Sequence, residues 1–154
     1  MRSFTALPEP ERALLSTAFR LMVVVRTALW LLPSRVLIRL VSTVVAAHAE
    51  RRAPVVRRRA MSIASVVWAI ETAGRRVPAA TCLTQALAGM ILLGRHGHPS
   101  TLRLGVARGP AGFRAHAWLE ANGRALIGGD GVEQLIGLPN LPRNNPPRRR
   151  GNSA

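Results

Sequence analysis

Apolar residues dominate from Ala13 to Leu32, interrupted by Arg20 and Arg26, and predict a helix led in by Glu9-Pro10-Glu11. Pro33 ends or kinks that helix, because it lacks an N–H donor and clashes with the preceding turn. Ser34 then reads as the N-cap of a second helix, about Arg35 to His48. Ile63, Val66, Val67 and Ile70 recur at helical spacing and predict a third helix from about Ala60, capped by Gly74. Pro78 excludes its continuation. Thr81 is the expected N-cap of a fourth helix, Cys82 to Leu93, with Leu83, Leu87, Met90 and Ile91 as its core stripe and Gly94 as its stop.

Beyond the polar turn Arg95 to Ser100 the period changes from helical to alternating. Strands are expected at about Thr101–Ala107, Arg114–Ala121 and Arg124–Ile127, the last two joined by the hairpin signal Asn122-Gly123. A short helix is expected at Val132–Ile136, and a disordered basic tail from Pro139 to Ala154. The fold class implied is α+β, with N-terminal helices followed by a Cys-bearing helix packed on a small antiparallel sheet. The expected division is a helical arm and basic linker over 1–59, a core over 60–138 and the tail over 139–154.

Charge changes this picture in one respect. Lys and Arg number 22 against 7 Asp and Glu, a formal charge of +15, and every one of those cations is Arg. Such a field attracts acidic peptides, nucleic acid or anionic lipid, although an all-Arg bias also follows from genome composition, and no nucleic-acid partner is expected. The run from Glu50 to Arg59 holds Arg51, Arg52, Arg57, Arg58 and Arg59, either a solvated linker or a docking patch for an acidic partner. Neither Ala13–Ala47, with its recurring Arg, nor Val77–Gly94, with Pro78, Thr81, Thr84 and Gln85, offers the ~20 consecutive apolar residues of a spanning helix. A peripheral contact of the first segment with membrane stays open. A lone cysteine and the lack of a secretory pattern in Met1–Pro10 point to a reducing, cytoplasmic setting.

The candidate chemistry lies between Thr81 and Asp130. A thiol acts as a nucleophile in its thiolate form, and a helix N-terminus, with unpaired N–H groups and its dipole, favours an anion where Cys82 sits. The same N–H groups are placed to stabilise an oxyanion. Of the four histidines, His116 alone lies within a predicted strand, sharing a face with Trp118 and Glu120, and a strand fixes a base in direction. The acid that orients it depends on register. A two-residue Asn122-Gly123 turn sets 116 opposite Gly129, whereas a three-residue loop or a bulge sets it opposite Asp130. Glu120 is the alternative, about 6.5–7 Å along the same strand. Taken singly, a cysteine such as Cys82 is more often a small core residue than a nucleophile, and a strand histidine such as His116 more often a hydrogen-bonded neutral one. The order of the three is what favours catalysis. His96 and His98 lack a thiolate or carboxylate set to complete a site, so no metal and no cofactor are expected.

Thr81-Cys-Leu-Thr-Gln-Ala-Leu87, Leu102-Arg-Leu-Gly-Val106, Phe113-Arg-Ala-His-Ala-Trp-Leu-Glu120 and Gly123-Arg-Ala-Leu-Ile-Gly-Gly129 together resemble the leader peptidases of lasso-peptide biosynthesis. These are the stand-alone protease half of the B protein, with a transglutaminase-like (papain-like) core. The resemblance is close from about Ala60 to Asp130 and looser over the helices from Ala13 to Val45. It implies that Cys82 attacks the bond joining leader to core in a precursor peptide, with His116 as base and then acid and Asp130 as third residue. A separate lasso cyclase would then use the freed amine to close a macrolactam. The 59 residues ahead of the core leave no room for a leader-binding domain, so a separate small recognition protein is the implied partner. Two other classes stay open on the residues alone: a transglutaminase-like acyltransferase or amidase, and a non-enzymatic basic binding module.

Overall fold

Helix α1, Glu9–Leu31, begins with Pro10 in its first turn and buries Leu14, Leu15, Ala18, Met22 and Val25, a stripe at three- and four-residue intervals. The computed structural model describes residues 8–52, 61–109, 112–129 and 136–137. Pro33 separates α1 from α2, Ser34–Arg52, and the Pro33 carbonyl accepts from Val36 and Leu37 N–H. Ser34 is therefore the first helical residue and not a cap outside the helix. Residues 53–60, which hold Arg57, Arg58 and Arg59, lie outside the described residues, whereas Arg51 and Arg52 belong to α2.

Helix α3, Ile63–Gly74, starts at the first residue of its apolar stripe and three residues after the expected Ala60, because Ser62 caps it by accepting from Ser65 N–H at 3.1 Å. Gly74 is its last helical residue, not its cap. Helix α4, Cys82–Arg95, likewise runs past Gly94. Its stop is Gly97, whose φ of +79° suits a residue without Cβ. There the N–H of His98 reaches Leu93 carbonyl and that of Gly97 reaches Gly94 carbonyl, the paired bonds of a Schellman ending.

Four strands follow: β1 Thr101–Gly109, β2 Gly112–Ala121, β3 Arg124–Ile127 and β4 Ile136–Gly137, in the spatial order β3-β2-β1-β4 with every pairing antiparallel. Ile136, counted from sequence into a short helix, instead pairs with Val106; Val132 to Leu135 and Pro139 to Ala154 lie outside the described residues. Asn122 and Gly123 both have positive φ, 52° and 75°, as a two-residue type I′ hairpin requires. Ala117, Leu119 and Ala121 of β2 share a buried face with Leu102 and Ile127, and Leu119 and Ile127 lie directly against Gly89 of α4. Residues from all four helices and from the sheet form one hydrophobic cluster, in which Met22, Val66, Ile70, Leu87, Met90 and Leu119 are fully enclosed.

Two histidines lock the start of α3 to the end of α4. Met61 N–H donates to His96 Nδ1 at 3.3 Å, and His98 Nε2–H donates to Met61 carbonyl at 2.8 Å. Burial, then the neighbouring His98 and Arg95, hold the His96 ring below its ordinary 6.5. The unfolded chain therefore takes up this proton first as pH falls, so the clamp contributes fully above pH 6.5 and is lost as pH drops through the folded value. Denaturant unfolding at pH 7.5 and 5.5 should show lower stability at the acid pH. His96→Asn, which keeps an acceptor but does not titrate, should narrow the difference.

Candidate active site

The segment leading into α4 is bent by a turn in which Ala80 N–H reaches Val77 carbonyl at 3.2 Å, with Pro78 and then Ala79 in its centre. Ala79 takes φ +57°, a conformation that glycine adopts more easily and that costs an L-residue about 1 kcal/mol. The turn delivers Thr81 to the N-cap, where its Oγ1 accepts from Thr84 N–H at 3.3 Å and contacts Thr84 Oγ1 at 3.0 Å. Cys82 is thus the first residue of α4, a partly buried free thiol. The cap takes the third N–H of the helix. Those of Cys82 and Leu83 make no hydrogen bond among the described residues and face outward from the positive end of the dipole.

His116 belongs to β2, paired with Gly105 of β1. On its other side β3 carries a bulge. Ala125 pairs with Glu120 but Ile127 pairs with Leu119, so Leu126 is the extra residue. The hairpin is therefore the two-residue one, yet the bulge shifts the register to the offset at which 116 is counted opposite 130. Asp130 itself lies outside the described residues. Because β3 stops at Ile127, no strand pairs with this side of β2 at His116 among the described residues.

Gly128 lies on that side. Its φ is +71°, and a Cβ there would stand 2.9 Å from Ala117 carbonyl and 3.5 Å from His116 Nε2. Its carbonyl takes the His116 Nε2 hydrogen bond at 2.6 Å. A carbonyl only accepts, so in the neutral ring Nε2 carries the hydrogen and Nδ1 holds the free lone pair. Trp118, nearly buried, stacks on the imidazole with ring centroids 6.4 Å apart and planes 17° from parallel. Glu120, the alternative acid, is occupied elsewhere: Arg103 Nε donates to its Oε2 at 3.2 Å across the β1–β2 pair.

Cys82 and His116 line one open cleft of about 470 Å³ with Gln85, Gly128 and the last turn of α3, namely Glu71, Gly74 and Arg75. The α3 residues and Gln85 carry no sequence signal strong enough to be picked as site residues; only the three-residue spacing of Gln85 from Cys82 hints that the two share a helix face. The Gln85 amide lies over Gly74, where a Cβ would come within 3.0 Å of it. It makes no hydrogen bond among the described residues, so its N–H donors are free to meet a ligand. Arg75 and Glu71 bring opposite charges to one wall, and Arg75 donates to Thr72 Oγ1 at 3.2 Å. A nucleophile, a base and uncommitted N–H donors around one open cleft are the parts that acyl transfer requires. Among the described residues, no group of three or more His, Cys, Asp or Glu could hold a metal ion.

The carbonyl contact makes a spectroscopic prediction. In ¹⁵N NMR at pH 8, neutral His116 should appear as the Nε2–H tautomer, with Nδ1 showing the shift of an unprotonated nitrogen. Gly128→Val should cost about 1–3 kcal/mol of unfolding free energy through its positive φ and the crowded Ala117 carbonyl, and should erase that tautomer preference.

Comparison with known proteins yields no match among curated proteins and none among solved structures. A family model does match, over residues 22–136, which begins within α1 and ends in β4. By that match, and with a fold of the expected α+β class, the chain belongs to the transglutaminase-like superfamily.

Proposed function

We propose that this chain is a cysteine peptidase that removes the leader from a ribosomally made lasso-peptide precursor. The observation that carries the peptidase reading is the shared cleft of Cys82 and His116, with the Nε2 of His116 tied to Gly128 so that Nδ1 is its basic nitrogen. The lasso assignment rests on the motifs around Cys82, His116 and Gly123–Gly129. In this reading Nδ1 takes the Cys82 proton and the sulfur attacks the carbonyl carbon of the bond between leader and core. The oxyanion meets the free N–H groups of Cys82 and Leu83 and the Gln85 amide. His116 Nδ1–H then protonates the departing amine, which is the new core N-terminus. Water attacks the remaining leader thioester, giving its proton to Nδ1, and the leader leaves as a carboxylate while the thiol is restored.

Asp130 is the acid this reading assigns to the unit, on the order of Cys82, His116 and Asp130 along the chain. The partners in this scheme are a separate small recognition protein that holds the leader and a cyclase that consumes the freed amine.

Incubating the chain with precursor and recognition protein, followed by mass spectrometry, tests the scheme. Wild-type protein should release core peptide with a free amine, and Cys82→Ala and His116→Ala should release none. Core release by Cys82→Ala would sink the assignment. A leader fragment differing from its free acid by the mass of an amine less one water, as an amide, would instead identify an acyltransferase. Gln85→Ala should lower kcat by roughly a hundredfold, the usual cost of removing one oxyanion donor, with folding unchanged.

A further inference from the structure

The cleft leaves one large feature of the molecule unused. The α1–α2 hairpin presents an apolar surface on the side away from the core: Trp30 is 80% exposed and Leu31 77%, at the very tip, and Val24 lies behind them on α1. On α2, Val36, Leu40 and Val44 form an exposed column at four-residue spacing, and Arg35 and Arg39 form a second column one residue round the helix. Folding gains little from these side chains as they stand, and large apolar side chains gathered exposed on one hairpin mark a contact surface.

Charge selects the kind of partner. Between Glu11 and Glu50 the sequence holds no acidic residue, while Arg12, Arg20, Arg26, Arg35 and Arg39 fall within it. At the tip the Arg26 guanidinium lies 5.7 Å from the centroid of the Trp30 ring, so a cation accompanies the exposed indole. An apolar face ending in Trp, edged by Arg and free of acids, matches the boundary between acyl chains and anionic headgroups. Helix α1 is long and apolar enough to cross a membrane by length and composition, a property that its interspersed arginines argue against from sequence. In the fold Ala18 and Met22 are fully enclosed in the core, so α1 cannot span without leaving α3 and α4.

We propose that the α1–α2 hairpin docks the protein on an anionic lipid bilayer, with Trp30, Leu31 and Leu32 in the interfacial layer and Arg35 and Arg39 on lipid phosphates. The surface shares no residue with the Cys82 cleft and does not depend on what that cleft does.

Sedimentation of the full chain with phosphatidylglycerol or phosphatidylcholine vesicles tests this. Binding should favour phosphatidylglycerol, weaken with salt, and fall at least tenfold in the double variant Trp30→Ser, Leu31→Ser. Arg35→Gln with Arg39→Gln should lower it by roughly thirtyfold. Both pairs are exposed, so thermal unfolding followed by circular dichroism should match wild type. The proposal is overturned by absent binding, by equal binding to both lipids, or by vesicle binding that survives the Trp30 and Leu31 substitutions. Retention on vesicles after an alkaline carbonate wash also overturns it, in favour of a span. So does a lipid-free dimer, seen by light scattering and dispersed by the same double variant, which would assign the face to a second copy.

Discussion

Everything in this molecule leans on α4. The other three helices and the three longer strands all touch it, which is why Ala86, Leu87, Ala88, Gly89, Met90, Leu92 and Leu93 are buried in nearly every direction around its axis. A helix so enclosed has little freedom to shift along its axis, because each side chain is keyed into a different neighbour. Its first residue is Cys82. The thiol is thereby held in place by the whole core, while the helix end that carries it stays open to the cleft.

His116 is held by a different means. A strand supplies its position, a stacked Trp118 its ring plane, and the Gly128 carbonyl its tautomer. The last of these depends on a backbone conformation with φ of +71°, close enough to Ala117 carbonyl to exclude a side chain. Thus one glycine contributes both the space beside His116 and the acceptor that leaves Nδ1 free. Cys82 and Gln85 of α4 line the same cleft, where the first two N–H groups of the helix and the Gln85 amide make no hydrogen bond among the described residues.

The N-terminal hairpin adds a surface with no role in that chemistry. Its inner face completes the core, with Met22 and Ala18 fully enclosed, and its outer face mixes exposed apolar side chains with arginine. Burial covers one side of each helix and leaves Trp30, Leu31, Val36, Leu40 and Val44 exposed on the other.

Local pattern was enough for much of this. Four helices, the hairpin strand Arg124–Ile127, the Asn122-Gly123 turn, the Thr81 cap and the placing of Cys82 at a helix start and His116 within a strand follow from spacing and turn chemistry, because those forces act within a few residues. The α+β class and superfamily follow from their order. What only the tertiary structure decided is what depends on distant residues: the one-residue bulge at Leu126, the helix stop at Gly97 instead of Gly94, and the partnering of Glu120 by Arg103. The convergence of Glu71, Arg75, Gln85 and Gly128 on the Cys82 cleft belongs with these. Register and side-chain partners are set by contacts between elements that the chain separates by tens of residues, and no periodicity along the sequence encodes which of them will meet.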